Sequence, residues 1–590
     1  MKKHLTFDRR DFLKAASVGI GLTAFSPSGL CRAEKKRRKP NIVLIYVDDN
    51  VVETINRGGL CPNIRSLGKK GVTFTHAYTP HGVCGPARFA LLSGRYISRC
   101  KQEQCTIPES RIHGSTAMGG MTIEGQRFIW SGHILAGEWN VAKLLKLAGY
   151  TTFYAGKVHG HMQDAKVDKE LELAAKTDPW KNQELMRKKL RHAGWDWAEA
   201  LSPGNLTSAD KQKKGIPADL HNPEWRAQAA IKFIKKNRDR PFFCYIAENL
   251  MHMPPPWQDM KKDPRRACGG ITLEKAPDVM PSRRSVFERV RKAGLDEKES
   301  AALLWLDDMV GAILKKLEDL NLRDNTMVVF MQDNGHLWQG KNTVYEGGIR
   351  VSPAYISWPA GLKNTGRKCS ELVSSIDLAP TFMEVARVKA PDDLVLDGKS
   401  LMPIINGQND KPIHDSLYAE MGHTRAVVTK KYKYIAFRVP ASREFTAEEK
   451  QIYRDRAGRD KTGLTKKMGC RVTHMQGATP GYVPPAWQTH PDHFFDKDQL
   501  YDLENDPQEL KNLAFYPKYA GVLADMKQKL REYCLKLPGT FAEFKTIDEC
   551  SPALKEIIAE AKKRPLIPVA KNRRLSDKMP KIINKKSGLN

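Results

Sequence analysis

Cysteine is scarce in this chain of 590 residues: there are 11, and no paired CxxC spacing among them, which excludes a disulfide-built scaffold and a cysteine-ligated zinc site. Long hydrophobic runs are also missing. The most apolar early stretch, Ala15 to Phe25, is too short to span a bilayer, and no later stretch reads as transmembrane. Acidic residues are outnumbered, 67 Asp and Glu against 97 Lys and Arg, giving a formal charge of +30. That excess attracts polyanions or anionic surfaces without naming one. Base-stacking aromatics and docking motifs are absent, so no nucleic-acid partner is expected. Part of the charge sits at the ends, in Lys35 to Lys39 and in the Pro-containing stretch Lys562 to Lys586. No internal repeat is evident. With 41% hydrophobic residues the chain can bury a sizeable core, which excludes disorder, collagen and coiled coil, and its length favours two or more lobes.

The first residues read as an export signal: a charged start, then a weakly apolar run. Arg9 and Arg10 stand before Asp11, Phe12, Leu13 and Lys14, which resembles the twin-arginine leader of bacterial proteins exported already folded. The resemblance implies a twin-arginine translocase as partner and a periplasmic or secreted location. Leu30 is too large for a lipoprotein site at Cys31, so cleavage is expected near Ala33. The expected division is a leader over 1–33, a catalytic domain over 40–400, a smaller domain over 401–545 and a basic tail over 546–590. Cys100 and Cys105 are a candidate local bridge.

Asn41 to Val47 is a continuous apolar run of the kind found in a strand buried on both faces, and it ends abruptly at Asp48 and Asp49. A helix through Val141, Leu144, Leu145 and Ala148 closes at Gly149, and a short strand then leads to Gly156, Lys157 and His159. Pro241 to Ala247 is another buried strand. The helix through Leu303, Leu306, Val310, Leu314 and Leu317 feeds a third, Thr326 to Met331, which stops at Asp333 and Asn334. Alternating strands and helices predict a mostly parallel α/β sheet covered on both faces, with the polar clusters beyond the strands' carboxyl ends converging on one site. After about Ser400, short alternating segments and a helix through Val522, Met526, Leu530 and Tyr533 predict a smaller α+β lobe. Arg99 to Ser131 and Pro254 to Lys298 read as long surface insertions.

Cys84, Pro86 and Arg88 stand in Gly82-Val83-Cys84-Gly85-Pro86-Ala87-Arg88, just before an apolar helical stretch whose N-terminal N–H groups favour an oxyanion. The segment resembles the C-x-P-x-R signature of type I sulfatases, whose cysteine is oxidised to formylglycine. The resemblance implies that Cys84 is the nucleophile after conversion by a formylglycine-generating enzyme, with Arg88 holding the nucleophile and metal region. Asp48, Asp49, Asp333 and Asn334 are hard oxygen ligands suited to Ca²⁺ or Mg²⁺. They match the family's cation site, calcium ahead of magnesium, with the Cys84-derived group beside it and Asp333 also where the family places a base.

Gly149 through His159 is similar to the second sulfatase signature, although Val158 replaces an aromatic residue. It implies that Lys157 clamps a sulfate oxygen and that His159 takes a proton from the aldehyde hydrate. Met251-His252-Met253-Pro254 resembles a third motif, with His252 as acid to the leaving alcohol. Lys341, before Asn342 to Arg350, matches the lysine that contacts the sulfate and bridging oxygen. Asp377 to Thr381, Asp397 to Leu401, Lys431 to Ile435 and Leu500 to Leu513 continue the resemblance. Together they imply the alkaline-phosphatase-like fold, a mixed, mostly parallel sheet flanked by helices with a smaller C-terminal α+β domain. The implied activity is hydrolysis of sulfate monoesters, with sulfated carbohydrates as the expected substrates. The alternatives are a phosphonate monoester hydrolase or phosphodiesterase of the same superfamily and a non-catalytic binder of sulfated glycans. His113, His423 and Arg425 are candidate substrate contacts.

Overall fold

A parallel strand covered on both faces must be apolar at every position, and Asn41–Val47 forms such a strand. In the computed structural model, which describes chiefly residues 38–49, 59–101, 120–159, 170–204, 220–252, 255–335, 340–407, 412–440 and 493–562, this strand lies inside an eight-stranded sheet. The spatial order is Arg367–Cys369, Val72–Phe74, Ala354–Ser357, Thr326–Gln332, Asn41–Val47, Phe242–Glu248, Thr151–Lys157 and Trp197–Ser202. The last five run parallel, and Ala354–Ser357 is antiparallel to both of its neighbours.

Successive side chains of a strand point to opposite faces. Ile42, Leu44 and Tyr46 therefore pack with Phe89, Leu92, Leu145 and Phe382 on one side, and Val43, Ile45 and Val47 with Phe233, Leu306 and Val310 on the other. The covering helices are Cys84–Ser93, Val141–Leu147 and Leu378–Ala386 on the first face, and Pro223–Lys236 and Glu297–Asp319 on the second. Each fully buried aliphatic contributes about 1.5–3 kcal/mol, so the sheet is a rigid base for whatever its edge carries.

A second sheet of four antiparallel strands, Leu417–Met421, Thr424–Val428, Tyr432–Phe437 and Asp498–Asp502, is covered by the helix Ala520–Lys536 through Met526, Leu530 and Cys534. Its core includes Ala90, Tyr96 and Ile376 of the first part, and from Lys39 on the described residues form one compact unit.

The two stretches read as surface insertions are more deeply built in than expected. Gln126–Ile129 is a buried strand paired antiparallel with Gly120–Ile123. Within Pro254 to Lys298, Arg283–Lys292 is a helix that buries Val286 and Val290, and Ile271 joins the core. Two apolar residues four apart are enough to seat a helix, even in a charged segment. The leader, Cys105 and with it the Cys100–Cys105 bridge, His113, Met253, Pro254 and the tail beyond 562 lie outside the described residues. Among the described residues no two cysteines are joined in a disulfide, and no helix is long and apolar enough to cross a membrane.

Candidate active site

Parallel strands deliver their carboxyl ends to one edge, and register decides what meets there. Val47 is level with Glu248 on one side and Gln332 on the other, so Asp48 and Asp49 emerge beside Asp333 and Asn334. Two backbone bonds carry the ladder past the strand ends: Asp333 N–H to Val47 O at 3.0 Å and Asp48 N–H to Glu248 O at 3.1 Å. Lys157, the last residue of Thr151–Lys157, ends at the same edge.

Cys84 arrives from the other direction, as the first residue of the helix Cys84–Ser93. The preceding turn is fixed by His81, whose Nδ1 accepts the Val83 N–H and whose Nε2 donates to Ile129 O, both at 3.2 Å. Burial pushes this imidazole down to about 3, so it stays neutral. No side chain caps the helix, which leaves its positive end beside the carboxylates. Cys84 Sγ and one oxygen each from Asp48 and Asp333 lie within 4.8 Å of one another, and Sγ is 3.4 Å from His159 Nδ1. Gly85 leaves room for that ring: a Cβ there would stand 3.3 Å from His159 Nε2.

Three cations answer the three acids. Arg88, fully buried, reaches Asp333 Oδ2 with Nε at 3.0 Å and Nη2 at 2.9 Å, and its Nη1 reaches the Tyr245 hydroxyl at 3.4 Å. Lys157 pairs with Asp48 Oδ2 and Lys341 with Asp49 Oδ1. Asp49 also accepts from Asn334 Nδ2 at 3.1 Å, while its N–H donates to Asp333 Oδ1 at 3.0 Å. Asp49 itself takes a left-handed φ of 60°.

Burial opposes charge on Asp48, yet Lys157, His252, Arg88 and Lys341 around it hold its carboxyl well below the usual range. Asp333 goes the other way: burial and the neighbouring Asp48 push it well above the usual range against the pull of Arg88. Burial, then Lys157 and Arg88, lower His159 to about 3. Burial and Lys341 lower His252 to about 4, with Asp48 opposing. Burial disfavours the Lys341 ammonium, but Asp49 outweighs it and keeps the group charged.

The donor set fits a hard divalent cation. Asp48 Oδ1 and Asn334 Oδ1 are buried acceptors with no hydrogen-bond donor among the described residues, beside carboxylates crowded enough to push one of them toward its neutral form.

The structure thus brings Cys84, Arg88, Lys157, His159, Asp333, Lys341, Asp48, Asp49 and Asn334 to one place. His252 follows the strand Phe242–Glu248 at the same edge, within electrostatic reach of Lys341 and Asp48. His423 and Arg425 do not join as substrate contacts. Arg425 is buried, donates to the Gly422, Thr424 and Arg127 carbonyls and covers the Phe541 ring; His423, 1% exposed, packs against Phe128. Reading the sequence also missed a buried group behind the site, Arg226 with Glu248, Asn249 and Ser202. The polar pair Glu248-Asn249 right after a buried strand was its available signal.

The mixed, mostly parallel sheet with its flanking helices is of alkaline-phosphatase-like architecture. The sulfatase family model matches residues 40–388, and the model for the C-terminal part of N-sulphoglucosamine sulphohydrolase matches 334–448. The chain belongs to the sulfatase family and is a sulfuric ester hydrolase. Human arylsulfatase A is 27% identical over 543 residues, 84% of this chain and 87% of that protein. The ulvan-active sulfatase of Formosa agariphila is 25% identical over 525 residues, 86% of this chain and 81% of that one. Among solved structures, Ps i-CgsB in complex with k-i-k-neocarrahexaose shares the fold with a TM-score of 0.55 at 20% identity, over 89% of this chain and 98% of its own.

Proposed function

We propose that the protein hydrolyses sulfate monoesters of carbohydrates, with Cys84 converted to formylglycine and a divalent cation, calcium ahead of magnesium, held by Asp48, Asp49, Asp333 and Asn334. The observation that carries this reading is the meeting of Cys84 with Asp48 and Asp333 at an uncapped helix N-terminus. The converted Cys84 would supply a hydrated aldehyde, a nucleophile that can release sulfate by elimination. The cation would neutralise sulfate oxygens and leave the Lys157 and Lys341 ammonium groups available to the anion.

The chain's own residues do the rest. Arg88 fixes Asp333 in place, so this acid beside the nucleophile cannot swing away. His159, neutral down to about 3 and 3.4 Å from Sγ, is suited to take a proton at Nδ1. His252 lies at about 4 in the free protein. It becomes a proton donor to the leaving oxygen only when a bound sulfate anion raises it, which ties protonation to occupancy.

Carbohydrate substrates are supported by the names of relatives, the ulvan-active sulfatase and the N-acetylgalactosamine-6-sulfatases, and by the charge of +30, which favours polyanions. The Arg9 to Lys14 pattern supports twin-arginine export to the periplasm or beyond, after a formylglycine-generating enzyme has acted on Cys84. Mature protein assayed against sulfated oligosaccharides, an aryl sulfate, a phosphate diester and a phosphonate is expected to release sulfate fastest. Faster turnover of the diester or phosphonate, or glycan binding without any sulfate release, would overturn the reading.

A further inference from the structure

An arginine on the apolar face of a helix is costly unless its donors are used. Arg226 lies on the helix Pro223–Lys236 at the spacing of Ala230 and Phe233, and like them it is buried. Its guanidinium pairs with Glu248, donates to Asn249 Oδ1 at 2.6 Å and reaches Ser202 Oγ at 3.5 Å. Each of these partners stands where a strand of the main sheet ends at the catalytic edge.

From Glu248 the bonds lead to His252. Glu248 Oε1 accepts the N–H of Asn249 at 2.7 Å and of Leu250 at 3.1 Å, and Asn249 O accepts the His252 N–H at 3.0 Å. The turn closes with Met251 at φ 77°, a left-handed conformation that a bulky residue holds only when its surroundings impose it. Asn249 is pinned further by Ser202 Oγ at 2.8 Å, and its Nδ2 donates to Gly204 O at 3.1 Å. Ser202 O in turn accepts the N–H of Val158, between Lys157 and His159, at 2.7 Å. Gly156 lets the strands close up, since a Cβ there would come within 2.0 Å of Ala247 O and 3.2 Å of Arg226 Nε.

We infer that Arg226 is a positioning residue for His252: through Glu248 and Asn249 it holds the strained turn that aims this histidine at the leaving oxygen. The inference rests on the reading of His252 as the acid of the reaction. An acid matters most when the leaving group is poor, so the effect is read from two substrates, 4-nitrophenyl sulfate and phenyl sulfate, the second being the poorer leaving group.

The test compares Arg226→Met, Arg226→Met/Glu248→Gln and His252→Ala in the mature enzyme, with Tm measured alongside. The double variant removes both charges of the buried pair while the amide oxygen at position 248 still accepts the Asn249 and Leu250 N–H groups, so it is expected to recover most of the Tm lost in the single one. Its kcat/KM on phenyl sulfate is expected to stay down about a hundredfold, and to fall about tenfold more than on 4-nitrophenyl sulfate. His252→Ala is expected to show the same split. If activity returns together with Tm, or both substrates suffer equally while His252→Ala keeps its split, Arg226 is structural only and the inference is wrong. If His252→Ala shows no split, the acid reading itself fails and the inference falls with it.

Discussion

Cys84 Sγ stands 3.4 Å from Nδ1 of His159, and the residue after the cysteine is a glycine against which that ring lies. The contact sets the nucleophile position and its proton acceptor together, so the two are expected to fail together. Cys84→Ser is expected to lower sulfate release about a thousandfold or more, and His159→Ala by roughly 10²- to 10⁴-fold. Both should stay within about 1 kcal/mol of wild-type stability. Steady-state sulfate release and thermal melts check this.

The same histidine shapes acid stability. Its folded value is depressed to about 3, through burial and then Lys157 and Arg88, below the ordinary value near 6.5. Its contribution is therefore present above about 6.5 and is lost as pH falls toward 3. In melts, the stability of wild type relative to His159→Gln should therefore fall as pH drops from about 6.5 toward 3. A constant gap would contradict the assignment.

Cation binding is expected to act through the same acids. Calcium at about a hundred times its Kd stabilises by about 2.7 kcal/mol, so Tm should rise with Ca²⁺, fall with EDTA and rise less with Mg²⁺. Asp48→Asn should remove most of this response. Lys157→Met leaves Asp48 buried and unpaired, a loss of about 3–5 kcal/mol without a cation, and Ca²⁺ should restore much of it. Melts with and without chelator decide.

Lys433 lies between two buried carboxylates, with Nζ 3.1 Å from Glu346 Oε1 and 3.0 Å from Glu509 Oε1. Glu509 Oε2 also accepts the Glu346 N–H at 2.6 Å, anchoring the segment that carries Lys341. Burial raises Glu509 to about 7, with Lys433 opposing and Glu346 reinforcing. A raised carboxyl contributes stability that is complete below its unfolded value, near 4.3, and is lost as pH rises through about 7. Glu509→Gln has no proton to lose there. The Tm difference, wild type minus variant, should therefore shrink between pH 4.5 and 8, and a difference that grows would contradict it.

The catalytic edge was legible because a strand buried on both faces must be apolar, so an abrupt change to acid at Asp48 or Asp333 stands out. Cys84, Lys157, His159 and Lys341 stood out by the resemblance of their segments to sulfatase signatures. Arg226 did not, because an arginine in a helix reads as a surface residue until its partners, 22 to 24 positions away, are seen. Lys433 looks like the outward residue of an alternating strand, and only the fold shows Glu346 and Glu509 covering that face. Arg425 was misjudged for the converse reason: local sequence does not reveal that backbone carbonyls take up its guanidinium.

The central claim is tested most directly by mass spectrometry of the peptide spanning Cys84 in protein from its native source, with sulfate release measured on the same sample. The expected result is a side chain that has lost one sulfur and two hydrogens and gained one oxygen, with activity proportional to the converted fraction. A fully active enzyme carrying an unmodified thiol at position 84 would contradict the account.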